Sequence, residues 1–290
     1  MSAQYGGERE TFILRCGGAE LLLGKKTLVM GALNVTPDSF SDGGLFFEPA
    51  RAIEHGEKMA EEGADILDIG GESTRPGSDP LPLDEELRRI IPVIEKLASC
   101  VEIPISVDTY KSQVAERALE AGATLINDIS GLRFDEKMAR VAARYDCPLI
   151  IMHMKGDPKT MQQNPHYENL FSEIIEYFRE GIKKAEAAGV DPQQVIVDPG
   201  IGFGKTVQHN LLILNHLGDL SVLGRPILIG TSRKTFIGKV LELEVHQRGT
   251  GSLATVAVCA MKGAHIVRVH DVAPTRHVVD MVDAVVNVEG

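Results

Sequence analysis

The chain is poor in positive charge, in paired cysteines and in long apolar runs, and each shortage removes a class of function. Thirty Lys and Arg stand against 41 Asp and Glu, a formal net charge of −11. That balance argues against nucleic acid or an anionic membrane as a bulk partner, so an anionic small substrate must find its cations locally. The cysteines (Cys16, Cys100, Cys147 and Cys259) lie far apart without a CxxC pair, which reads as reduced thiols of a cytoplasmic protein. No apolar run is long enough to cross a bilayer, and the acidic N-terminal stretch does not read as a signal peptide. Histidines lack HExxH or paired-ligand spacing, so a zinc site is not expected. The stretch Gly200-Ile-Gly-Phe-Gly-Lys-Thr206 fails both nucleotide templates. Pro199 stands where a P-loop needs its first glycine, and Lys205 where GxGxxG needs its last.

What is present is a folded-protein composition, 43% hydrophobic and 24% charged, arranged as an alternation. Short, largely β-branched runs at 27–35, 64–71, 104–109, 124–130, 148–153, 195–200, 226–232 and 265–272 predict strands. Nearly continuous apolar character fits a parallel sheet covered on both faces. Between them, 50–62, 84–97, 111–121 and 169–188 carry helical periodicity, and Gly63, Gly122, Gly189 and Gly263 stand where helices should stop. Eight such units in about 260 residues predict a (β/α)8 TIM barrel. Residues 1–26 form an N-terminal segment with a β-hairpin expected to cap the barrel bottom, and 27–290 a single barrel domain. The connection 154–168, with Pro158 and Pro165, reads as a long ordered surface loop.

In such a barrel reactive groups gather at the C-terminal ends of the strands, and there the apolar runs give way to polar residues. The first run passes into Asn34-Val-Thr-Pro-Asp-Ser-Phe-Ser-Asp-Gly-Gly44, a breakable polar loop on a core strand. Others end in Glu72-Ser-Thr-Arg75, Asp108-Thr109, Asn127-Asp128, Asp198-Pro-Gly200, Thr231-Ser-Arg-Lys234 and Arg268-Val-His270. Asp108, Asn127, Asp198 and Lys234 supply the acceptors and donors that the edge of an amino- and keto-substituted heterocycle needs. Arg75, Lys234, Arg268 and His270 suit phosphate or diphosphate. The Asn34 side-chain oxygen suits a weak Mg²⁺ site completed by substrate phosphates. A pocket with both features binds a heterocycle carrying a diphosphate arm. Asp65 and Asp68, alternating with apolar residues in the second run, read as structural.

Eight segments in order resemble the dihydropteroate synthase family. They are Asn34–Asp42, Asp68-Ile-Gly-Gly-Glu-Ser-Thr-Arg-Pro-Gly77, Ser106-Val-Asp-Thr109, Ile126-Asn-Asp-Ile129, Met152-His-Met154, Asp198-Pro-Gly-Ile-Gly-Phe-Gly-Lys205, Ser232-Arg-Lys-Thr-Phe-Ile-Gly238 and Arg268-Val-His-Asp271. The resemblance implies a TIM barrel that joins 4-aminobenzoate to (7,8-dihydropterin-6-yl)methyl diphosphate, releasing diphosphate by an SN1-like route. By motif it gives catalytic roles to Asp108, Lys234, Asp38 and Arg75. The pterin falls to Asp108, Asn127, Met152, Asp198, Lys234 and Arg268, and the diphosphate to Asn34, Thr74, Arg268 and His270, with Mg²⁺ at Asn34. Phe40, Thr74, Arg75, Pro76, Phe203, Lys234 and Thr235 would form the aminobenzoate pocket, with the loops around Asp38 and Arg75 closing over it. Thr235 stands where the family often has Ser and keeps the hydroxyl. A homodimer and inhibition by sulfonamides are implied as well. The alternatives are a methyltetrahydrofolate:corrinoid methyltransferase, which has no need of the loop at 36–40 or the segment 232–238, and a non-catalytic pterin-binding paralogue, whose loops should have decayed.

Overall fold

Strand residues in this chain alternate between two apolar environments, and that alternation closes the sheet on itself. The computed structural model describes residues 9–36, 49–73 and 77–288. A hairpin, β1 (Phe12–Cys16) and β2 (Ala19–Leu23), precedes eight parallel strands. These are β3 (Leu28–Asn34), β4 (Ile66–Gly70), β5 (Ile105–Asp108), β6 (Leu125–Asp128), β7 (Leu149–Met152), β8 (Val195–Asp198), β9 (Leu228–Ile229) and β10 (Ile266–Val269). Their order is β8-β7-β6-β5-β4-β3-β10-β9. The remaining seam is bridged at Val197 and Ile227, where the Val197 N–H donates to the Pro226 carbonyl at 3.0 Å. Each strand sits at or inside the run the sequence predicts. The shortest is β9, where Pro226 has no N–H to offer a ladder.

Helices α1 (Pro49–Glu61), α2 (Leu83–Ala98), α3 (Ser112–Glu120), α4 (Met138–Arg144), α5 (Leu170–Ala187), α6 (Val207–Asn215), α7 (Thr235–Leu241), α8 (Gly249–Met261) and α9 (Val272–Val286) surround the sheet. The four helices read from periodicity are all present with ends moved by a residue or two. After α1, Gly63 at φ +94° takes the left-handed stop the sequence signals.

Outward strand residues such as Val29, Leu67, Val107, Ile126, Ile151, Val197 and Val267 join one large cluster with the helices. Inward residues Leu28, Met30, Ile66, Leu125, Ile150, Ile196, Leu228 and Ile266 form a second cluster with Leu14, Cys16 and Leu23 of the hairpin. The hairpin therefore plugs the N-terminal mouth, as expected. One or two inward steps further along β4, β5, β6, β8 and β10, the apolar layer is replaced by Asp68, Ser106, Asp108, Asn127, Asp198 and Arg268. The barrel is a packed scaffold at one end and a polar cup at the other.

Candidate active site

The cup is a cavity of about 510 Å³, counted out to its open mouth, with Asp108, Asn127, Met152, Asp198, Phe203, Lys234, Arg268 and His270 among its lining residues. Register explains the gathering. Asp108 lies beside Asn127 across the β5–β6 ladder, and Met152 beside Asp198 across β7–β8. Lys234 reaches in from the opposite side of the barrel seam, just before α7. Ala32, Ile129, Gly200, Ile201, Gly230 and Ser232 complete the wall. None of these has a site role from sequence: Ile129, Gly200, Ile201 and Ser232 lie inside the family-like segments without one, and small residues such as Ala32 and Gly230 carry no chemical signature.

Arg268 ties the floor together. Its Nε donates to Asp68 Oδ2 at 2.5 Å and one terminal nitrogen to Asp108 Oδ2 at 2.9 Å. The same Asp68 oxygen accepts from Asn127 Nδ2 at 3.1 Å. Asp68, read as structural from sequence, thus touches two pocket residues, while Asp65 keeps that reading by pairing with Lys26, Arg276 and the Val29 N–H. Burial works against the Arg268 charge, but Asp68 and Asp108 outweigh it and hold the guanidinium more firmly protonated than usual. Asp108 Oδ1 is buried without a hydrogen-bond partner among the described residues. Such an orphan carboxylate oxygen in a cavity is an acceptor waiting for a donor.

Titration behaviour follows from burial. Desolvation pushes Asp108 up to about 7; Arg268 opposes this, but its charge is divided between two carboxylates. Burial raises Asp198 to about 6, against the Gly200 N–H that donates to it at 2.8 Å and the pull of Lys234. Burial and then Arg268 lower Lys234 to about 8. Its Nζ lies 4.4 Å from the centre of the Phe203 ring. His270 shares a hydrogen bond of 2.9 Å between Nδ1 and Ser232 Oγ. Burial, with Arg268 and Lys234 beside it, lowers its pKa to about 4. His270 is then a neutral imidazole near pH 7, not the cation expected from sequence. Asp128, next to Asn127 in its motif, faces the other way and caps a turn, accepting from the Ser130 and Leu132 N–H groups at 2.8 Å each.

The structure brings Asp108, Asn127, Met152, Asp198, Phe203, Lys234, Arg268 and His270 together. Asn34 ends β3, half-buried, and Thr235 opens α7 directly after Lys234. Asp38, Phe40, Thr74, Arg75 and Pro76 lie outside the described residues. Just before the last three, Glu72 accepts from Tyr110 Oη at 2.7 Å and from Lys111 Nζ at 2.5 Å, and Lys111 also meets buried Glu86 at 2.5 Å. The connection after β7 is ordered as expected and touches both neighbouring loops: Pro158 accepts from the Gly77 N–H at 3.1 Å, and Gln162 donates to the Gly202 carbonyl.

Asn34 offers a single neutral oxygen, and the described residues contain no group of three or more His, Cys, Asp or Glu placed to hold a metal ion. That donor set fits a hard ion delivered on a phosphate and does not fit a resident all-protein metal cage.

Comparison with known proteins gives the same picture. The model of the pterin binding enzyme family matches residues 30–270. The dihydropteroate synthase of Bacillus subtilis (strain 168) is 46% identical over 281 residues, 97% of this chain and 96% of that protein. A solved structure of the Xanthomonas albilineans dihydropteroate synthase with 4-aminobenzoic acid superposes with a TM-score of 0.90 at 44% identity, covering 97% of this chain and all of that one. The Yersinia pestis dihydropteroate synthase in complex with a sulfonamide drug gives a TM-score of 0.90 at 43% identity, with 94% and 98% covered. The chain belongs to the pterin-binding enzymes and, among them, to the dihydropteroate synthases of folate biosynthesis.

Proposed function

We propose that the joining of (7,8-dihydropterin-6-yl)methyl diphosphate to 4-aminobenzoate takes place in the cup at the C-terminal end of the barrel, with the residues of the cup in the following roles. Asp108, Asn127, Asp198 and Lys234 hold the polar edge of the pterin. Met152 packs on one face of the ring, and Arg268 meets the other. The observation that carries this reading is the orphaned Asp108 oxygen beside Asn127, Asp198 and Lys234 in one cavity. A pterin edge, rich in N–H donors with one carbonyl, satisfies that set.

Arg268, His270 and Asn34 hold the diphosphate, with Thr74. Asn34 would hold a diphosphate-borne Mg²⁺ through its side-chain oxygen, and the ion would supply charge neutralisation on the leaving group. The C–O bond breaks with its electron pair leaving on the diphosphate, and positive charge develops on a methylene conjugated with the pterin. Buried Asp108 faces that charge in a low-dielectric site, where such stabilisation is strong. The arylamine nitrogen then forms the new C–N bond and gives up a proton. Phe203, Lys234 and Thr235 form the described part of the aminobenzoate wall. Phe40, Arg75 and Pro76 are assigned to the rest, and the loops holding Asp38 and Arg75 to closing over both substrates and excluding water.

Sulfonamides are proposed to inhibit by occupying the aminobenzoate wall. A cytoplasmic location is proposed, supported by the four free cysteines. A homodimer is proposed through the helices around α6 to α8, supported by exposed Leu211, Leu212, Val240, Leu241, Val258 and Met261 on that side. The deciding experiment follows diphosphate release from the pterin diphosphate with and without 4-aminobenzoate, in the presence and absence of Mg²⁺. Release that needs both aminobenzoate and Mg²⁺ is expected; release indifferent to aminobenzoate overturns the reading.

A further inference from the structure

Beneath the Phe203 side of the cup lies a buried amine that the proposed chemistry does not use. Lys205 is 3% exposed, and its Nζ lies 2.8 Å from His153 Nδ1, 3.0 Å from the Phe203 carbonyl oxygen and 3.3 Å from the His153 carbonyl oxygen. Among the described residues no carboxylate pairs with it. His153 is buried in an aromatic cage, with ring centroids of Tyr177 at 4.7 Å and Phe178 at 6.4 Å. An amine buried this way is expensive, and an apolar side chain of the same length would fill the space at less cost. Stability alone therefore does not account for it.

Its bonds account for it better. The two carbonyls belong to the end of β7 and to the loop after β8, so one amino group clamps the residue after Met152 to Phe203. Met152 and Phe203 belong to the same apolar cluster at the cup, with Ile129, Met154 and Met161. Other bonds hold the loop on either side: the Gly202 N–H donates to Asn210 Oδ1 and Tyr167 Oη to the Gly204 carbonyl, both at 2.8 Å. Lys205 is the described side chain that takes the Phe203 carbonyl itself. The chemistry also holds in either protonation state. Carbonyls only accept, so two N–H groups go to them. The third contact is ammonium N–H to the ring nitrogen, or ring N–H to the amine lone pair. Burial lowers the pKa of both groups well below their ordinary values.

We propose that Lys205 is a positioning residue for the arylamine substrate: bridging His153 and the Phe203 carbonyl, it holds the Phe203 ring at the height where 4-aminobenzoate packs. The inference rests on Phe203 as an aminobenzoate wall. Lys205→Met keeps the side-chain length and removes the bonds. The experiment is steady-state kinetics with each substrate varied in turn, with a melting curve alongside. The expected result is a KM for 4-aminobenzoate raised about tenfold or more, with the pterin diphosphate KM within about twofold. An aminobenzoate KM within twofold of the parent, or both constants rising together, overturns the proposal. If Lys205→Met does not fold, Lys205→Leu removes the same bonds with a shorter apolar side chain and must give the same split. Phe203→Ala separates the two claims. If it leaves the aminobenzoate KM unchanged, the wall reading itself is wrong; if it raises that KM while Lys205→Met does not, only the role of Lys205 is wrong.

Discussion

Asp68 makes the most discriminating perturbation, because a single oxygen of its carboxylate holds two pocket residues at once. The side chain is fully buried, and Oδ2 accepts from Arg268 Nε at 2.5 Å and Asn127 Nδ2 at 3.1 Å, while Oδ1 is buried without a partner among the described residues. Asp68→Ala strips both donors of their acceptor and leaves the guanidinium with Asp108 alone; breaking a buried pair this way costs about 3–5 kcal/mol of stability. Asp68→Asn is subtler. Its amide oxygen can take the Oδ2 position and keep both bonds, with the NH₂ where Oδ1 already lacks a partner, so chiefly the charge is lost. The expected cost is about 1.4 kcal/mol, a tenfold weaker affinity for a non-reactive pterin. A second effect has a definite sign. The Asp68 charge helps to raise the Asp108 pKa, so its removal must move Asp108 downward and the acid limb of pterin binding with it. Calorimetric titration of both proteins from pH 5 to 8 measures both quantities. Asp68→Asn with affinity within twofold of the parent and an unmoved acid limb would refute the argument that Asp68 organises the cup.

Burial raises Asp108 and Asp198, to about 7 and about 6, above their unfolded values. The stability they confer is therefore full below the unfolded carboxylate range and lost as pH rises through 6 and 7. Ligand-free protein should lose melting temperature from pH 5 to 8 more than Asp198→Asn does, while pterin affinity rises over the same span; a pH-independent difference between the two proteins would contradict this. Lys234→Ala and Asp108→Asn should each lower the rate of diphosphate release by about 10²–10³, and near-normal turnover in either variant would remove it from its assigned role. Chelation of Mg²⁺ should abolish turnover while sparing the affinity for a pterin without a diphosphate, a split that titration in EDTA can test. Deleting residues 36–41 should spare pterin binding far more than turnover, and equal loss of both would contradict the closing role given to that loop.

Much of this was legible in the residues, for physical reasons. A buried parallel strand must be apolar on both faces, so Asp108, Asn127, Asp198 and Arg268 stood out where such runs ended. Asp68 did not, because a carboxylate in mid-strand with apolar neighbours is indistinguishable in one dimension from a structural acid like Asp65. Only the register of β4 against its neighbours separates them: Asp68 turns inward with Ile66, under Arg268. The neutral state of His270 was equally hidden, since it depends first on burial and then on Arg268 of its own strand together with Lys234 from across the pocket. Lys205 was visible as a residue that spoiled a glycine motif and closed a family segment, with no role attached. Its partner His153 comes from the neighbouring strand, a contact that spacing along the chain does not encode.

The barrel closes through one bridge between Val197 and Ile227, and with the pterin placed as proposed that seam would give it a mechanical role. Asp198 follows Val197 on one lip, and Lys234 lies just beyond β9 on the other. A heterocycle bonded to both spans the gap like a rivet, closing by ligand what the ladder leaves open. Amide exchange in β8 and β9 should therefore slow on pterin binding more than exchange in β4 and β5. The substrate would then complete the cylinder that binds it.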